Sequence, residues 1–281
     1  MALIDIQDTP DDRQVELEQV GIRDLSYPIS VLDQKNERQN TIGRLTLSVH
    51  LPEEFKGTHM SRFVEVLHEH RGDFTMLTLP AILAHLRKRL SARSARVEVK
   101  FPYFLERVAP ASGQSALLDY ECSFIAESDG DGLDFVMRVT VPVTTLCPCS
   151  KAISDYGAHN QRGYLTIDLN PARDQSGNPS MVWIEELVQV AETSASAPIY
   201  PLLKRIDERH VTMQAYDNPV FVEDIVRNVA VKLKADPRVA SFTVECVNHE
   251  SIHNHSAYAR ASWDRARQKN QAAEEKVLAK V

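Results

Sequence analysis

Arg44–Leu51 reads RLTLSVHL: apolar and polar residues alternate one for one. An extended segment of that kind buries one face and leaves the other polar, so it predicts a half-buried strand. The pattern spreads outward from there. A less regular strand is expected at 22–31. Helices are expected at 61–70, where Phe63, Val64 and Leu67 recur at helical spacing, and at 78–91, where Pro80 fits a first turn. Strands follow at 95–105 and 117–126, the latter with Leu118, Tyr120, Cys122 and Phe124 on one face.

The same order then recurs. Strands are expected at 133–143 and 163–169, an amphipathic helix at 182–195, and a second helix at 219–235 with Asn218 as N-cap and Pro219 in its first turn. Strands at 239–247 and 256–262 close the chain. Each half thus reads β-β-α-α-β-β, a repeat of element order rather than of sequence. Adjacent strands separated by helix pairs point to antiparallel sheets with helices on one side, the α+β class. The expected organisation is a flexible N-terminal arm at 1–20, modules at 21–130 and 131–263, and a charged tail at 264–281, either a solvated helix or a frayed end.

The chain has 281 residues, is 43% apolar and carries a net charge of -7. It can bury a core, and its balance argues against a nucleic-acid scaffold. No window approaches the roughly 20 apolar residues of a membrane span, and the acidic first residues do not resemble a secretory signal. Four cysteines in this length make no disulfide framework, and Cys147 and Cys149 are too close to bridge without strain. A reducing cytoplasm is the expected compartment.

Chemistry concentrates in a few stretches. Thr144–His159 (TTLCPCSKAISDYGAH) joins Cys147 and Cys149 to His159, thiol and imidazole ligands of the type zinc prefers. The bland alternative is a pair of buried cysteines at a strand end. With Cys122 and Cys246 in strand patterns, a three-ligand site with an open position fits better than a structural knuckle. In Lys204–His210 (KRIDERH), usually a solvated charge run, Lys204 and Arg205 are candidate phosphate contacts and Glu208 a candidate metal ligand. Glu223 opens a helix, where an acid ordinarily complements the dipole but can also accept two hydrogen bonds from a guanidine-like ligand edge. Glu250, His253 and His255 supply groups that move protons near neutral pH, against the alternative of a polar loop. His68 and His70 fall on different faces of a helical pattern and are set aside.

Six ordered blocks, GTHMSRF (57–63), TTLCPCSKAIS (144–154), GAHNQRG (157–163), PIYPLLKRIDERHVT (198–212), AYDNPVFVEDIVRNVA (215–230) and ESIHNHSAYA (250–259), resemble GTP cyclohydrolase IB. The resemblance covers about residues 20–262. It implies the tunnelling fold, with two tandem β-β-α-α-β-β modules, and a homotetramer with active sites at subunit interfaces. It also implies conversion of GTP and water to 7,8-dihydroneopterin triphosphate and formate, the first step toward tetrahydrofolate. By the same resemblance one divalent metal, zinc with manganese or iron also accepted, is held by Cys147, His159 and Glu208. Glu223 grips guanine, and Glu250, His253 and His255 form the catalytic block beside Cys147 and Cys149. Lys151, Lys204 and Arg205 are expected to meet the triphosphate, chiefly from their charge. His59 and Arg62 could reach a neighbouring subunit's site.

Three other readings stay open at this point. A queuosine-pathway nitrile reductase of related fold would use its cysteine covalently with NADPH. A non-catalytic purine or pterin binder would keep Glu223 without needing the metal set. A structural assembly protein would leave the polar clusters incidental.

Overall fold

The computed structural model describes residues 6–7, 9–130, 132–174 and 177–268. Elements run β1 (Leu17–Asp33), β2 (Glu37–Leu51), α1 (Met60–Glu69), α2 (Leu79–Leu90), β3 (Ala95–Val108) and β4 (Ser115–Ser128). They continue β5 (Leu133–Leu146), α3 (Pro148–Ile153), β6 (Asn160–Pro171), α4 (Ile184–Glu192), β7 (Ala197–Pro198), α5 (Arg205–Asp217), α6 (Val222–Ala235), β8 (Val239–His249) and β9 (Ala257–Asp264). Residues 265–268 make one helical turn, and the remainder of the expected tail lies outside the described residues. Among the described residues no helix is long and apolar enough to cross a membrane.

The strand order is β1-β2-β3-β4-β5-β6-β8-β9, with β7 paired to β5, in one nine-stranded sheet whose described pairings are antiparallel. This corrects the expectation of a tunnelling fold built from two tandem β-β-α-α-β-β modules. The first half has that order. The second does not, because α3 and β7 intervene and α5 adds a third long helix. α5 was hidden in the sequence because it buries only Asp207 and Ala215, so its charge run carries no apolar stripe. Asn218 is accordingly the C-cap of α5 rather than the N-cap of the next helix, which Phe221 caps.

The chain forms two compact units: Met1–Pro102 with Cys122–Val136, and Tyr103–Glu121 with Met137–Val281. In the first, Leu45, Leu47 and Val49 of β2 are buried with Phe63, Val66 and Leu67 of α1 and Ile82, Leu83 and Leu86 of α2. Alternation on the strand and helical spacing on the helices make these faces apolar. Phe124 sits edge-on to Phe101, ring centroids 5.0 Å apart.

In the second unit, Val139, Val141 and Val143 of β5 and Leu165, Ile167 and Leu169 of β6 are buried at period two. α6 is covered on the stripe Val222, Ile225, Val226, Val229, Ala230 and Leu233, and it packs on β8 and β9. Burying each large aliphatic side chain there stabilises the fold by about 1.5–3 kcal/mol. One polar cluster is internal: Glu192 accepts from Arg107 and from the Tyr120 hydroxyl. Burial pushes the Glu192 carboxyl up, while Arg107 and Tyr120 oppose that shift.

Candidate active site

The β5–β6 ladder ends at the pair Leu146↔Asn160. One step further, the amide of Cys147 donates to the carbonyl of His159 at 3.1 Å. Antiparallel pairing therefore makes cross-strand neighbours of the two residues. Ser150 ties them again. Its amide donates to Cys147 Sγ at 3.4 Å, and its hydroxyl accepts from the His159 amide at 3.2 Å. Cys147 is the N-cap of α3, with Pro148 in the first turn, where the chain leaves the sheet.

Two other elements converge on the same strand ends. The amide of Val220 donates to the Leu146 carbonyl at 3.1 Å, which sets the start of α6, and with it Glu223, beside the end of β5. Asn218 anchors this connection by donating to the carbonyls of Ala195 and Ser196. β8 ends at His249, so Glu250 and the loop to β9 return across the same edge. In that loop the rings of His253 and His255 stack, centroids 5.0 Å apart and 14° from parallel.

These pieces enclose a cavity of about 310 Å³ lined by Cys147, His159, Glu223, Glu250, His253 and His255, together with Gln161, Phe221, Asn248 and apolar neighbours. That volume suits a small ligand. His159 and Glu250 are mostly buried, their side chains 16% and 10% exposed. His159 Nδ1 lies 3.0 Å from Gln161 Oε1 and 3.9 Å from Glu250 Oε2.

The family model described as type I GTP cyclohydrolase folE2 matches residues 3–259. The chain belongs to that family. Among its relatives, GTP cyclohydrolase FolE2 of Fervidobacterium nodosum is 49% identical over 92% of this chain and 96% of its own length. The protein of that name from Geobacter metallireducens is 48% identical over 93% and 97%.

Solved structures give a second, purely architectural likeness. A uricase from Bacillus fastidious aligns with a TM-score of 0.53 over 94% of this chain and 97% of that chain, at 12% identity. Urate oxidase from Bacillus sp. TB-90 aligns at 0.52 over 89% and 100%, at 9% identity. A uricase-like, nine-stranded antiparallel sheet thus takes the place of the tandem modules expected for this GTP cyclohydrolase family member.

Of the residues singled out in the sequence, six line one cavity of the family member: Cys147, His159, Glu223, Glu250, His253 and His255. The others do not line it. Cys149 is exposed on α3. Lys151 donates to the Tyr216 carbonyl and lies 4.2 Å over that residue's ring, tying α3 to α5. Lys204, Arg205 and Glu208 are exposed at the start of α5.

Among the described residues no three His, Cys, Asp or Glu side chains converge to hold a metal ion. The donor chemistry of Cys147 and His159 nevertheless fits one. The two residues are cross-strand neighbours that line one cavity, and an oxygen faces the Nδ1 of His159.

The sequence reading passed over three residues. Gln161 follows His159 at strand period and therefore shares its face, which the alternation of β6 would have signalled. Asn248 is buried opposite Gly163, where any Cβ would come within 2.8 Å of Asn248 Oδ1. Asp207, fully buried, accepts from the amides of Ala111, Ser112 and Lys204 and from the Ser112 hydroxyl. Burial works to raise its carboxyl, but those hydrogen bonds outweigh it and hold the group well below the usual carboxylate range. Nothing in a run of charges distinguishes such a residue from its solvated neighbours.

Proposed function

We infer that this cavity is where the chain, a GTP cyclohydrolase of type I, converts GTP and water to 7,8-dihydroneopterin triphosphate and formate. The observation that carries the reading is the convergence of Cys147, His159, Glu223, Glu250, His253 and His255 on one 310 Å³ space. Glu223 accepts from N1–H and the exocyclic amine of guanine, so a base lacking those donors leaves a carboxylate unsatisfied. Cys147 and His159 hold one divalent cation, zinc, manganese or iron. When bound, that ion supplies Lewis acidity and lowers the pKa of a bound water toward neutrality. The stacked pair His253 and His255 delivers a proton to an imidazole nitrogen of the purine as the ring opens at C8. With Glu250 the same pair shuttles protons through ribose opening and pterin closure.

Lys204, Arg205 and Glu208, exposed on α5 and away from this cavity, are proposed to serve the cavity of a neighbouring subunit. Glu208 would complete the metal set and the two cations would meet the triphosphate. That assignment goes with a cytoplasmic homotetramer whose sites lie between subunits. The test is incubation of purified protein with GTP under separate additions of zinc, manganese and iron. Formate and a pterin that fluoresces after oxidation are expected. Absence of both under all three additions contradicts the reading.

A further inference from the structure

We propose that Gln161 is a positioning residue that fixes the proton of His159 on Nδ1 and so turns Nε2, as a bare lone pair, to the ion. The inference rests on the reading of His159 as a metal ligand but is tested without substrate.

Two oxygens face His159 Nδ1: Gln161 Oε1 at 3.0 Å and Glu250 Oε2 at 3.9 Å. The first is within hydrogen-bond range. The second is beyond it, yet it brings a carboxylate to the same side of the ring. Both favour a proton on Nδ1. The reverse tautomer would turn a lone pair toward the carboxylate and place the proton on Nε2, where it would block coordination. Gln161 is itself 8% exposed and lies on β6 two residues from His159 on the same face, so burial limits how far its side chain moves. Glu250 is left without this duty and remains available to substrate. A metal-bound imidazole whose second nitrogen donates to an oxygen is a recurrent arrangement, and removing the acceptor commonly weakens metal binding 10–100-fold.

The experiment measures imidazole nitrogen shifts by NMR in metal-free, nitrogen-15-labelled protein, with His159→Gln identifying the signal. The dissociation constant for zinc is then measured by competition with a chromophoric chelator. In the wild type, His159 should carry its proton on Nδ1. Gln161→Leu should mix the tautomers and raise the zinc dissociation constant roughly 10–100-fold. Gln161→Glu, which keeps an oxygen acceptor, should restore both.

A wild-type Nε2–H tautomer overturns the proposal without any variant. So does a folded Gln161→Leu protein with unchanged tautomer and zinc affinity. If zinc binds as expected but GTP yields no formate, the functional reading falls and the role of Gln161 stands.

Discussion

Cys147 and His159 show how backbone geometry makes neighbours of two candidate ligands: each is the first residue off its strand at the end of the β5–β6 ladder, and a 3.1 Å backbone hydrogen bond joins them. Glu223 reaches the same cavity from a helix start. The roles separate experimentally. Glu223→Ala should weaken GTP binding by about 1.5–3 kcal/mol, roughly ten- to a hundredfold, because a charged acceptor is lost. Zinc affinity should be unchanged. Calorimetric titration of both ligands checks this, and unaltered GTP affinity refutes the guanine role. The six candidate residues that line the cavity were legible because thiols, imidazoles and carboxylates announce their chemistry. Gln161 and Asn248 were not, because an amide in a strand has no signature until its neighbours are known.

α5 and α6 illustrate two ways of holding a helix in place. α6 does so with an apolar stripe, and Ile225→Ala, at a fully buried position, should cost about 2–5 kcal/mol in urea unfolding. That stripe is plain in the amino-acid sequence, where its residues recur at helical spacing. α5 depends instead on Asp207, which accepts three hydrogen bonds from the Ala111–Ser112 turn and a fourth from the amide of Lys204 at its own helix start, and no periodicity reveals that.

The pH dependence follows from the lowered carboxyl. A group whose folded pKa is depressed stabilises the fold above its unfolded value, about 3.9, and loses that contribution as pH falls further. The melting-temperature gap between wild type and Asp207→Asn should therefore be constant near neutrality and narrow only below about pH 4. A gap that does not change in acid contradicts the assignment. The tandem-module expectation failed at this same scale. An order of elements inferred from apolar stripes omits a helix that lacks one, and the recurrence was an artefact of the omission.

For the molecule as a whole, Lys204, Arg205 and Glu208 at the head of α5 are exposed and do not line the cavity, and the proposed role for them is in the cavity of a neighbouring subunit. Native mass spectrometry should find four chains together, and a chain that stays monomeric at assay concentration while active would refute the shared-site account. Everything in that account turns on a cation between sulfur and imidazole. The most direct measurement is bound divalent ion and formate release determined together on one chelator-treated preparation, wild type beside Cys147→Ala. The wild type should lose both and regain both when a single divalent ion is restored, while Cys147→Ala regains neither. Formate release at the untreated rate from protein with no detectable ion would contradict it.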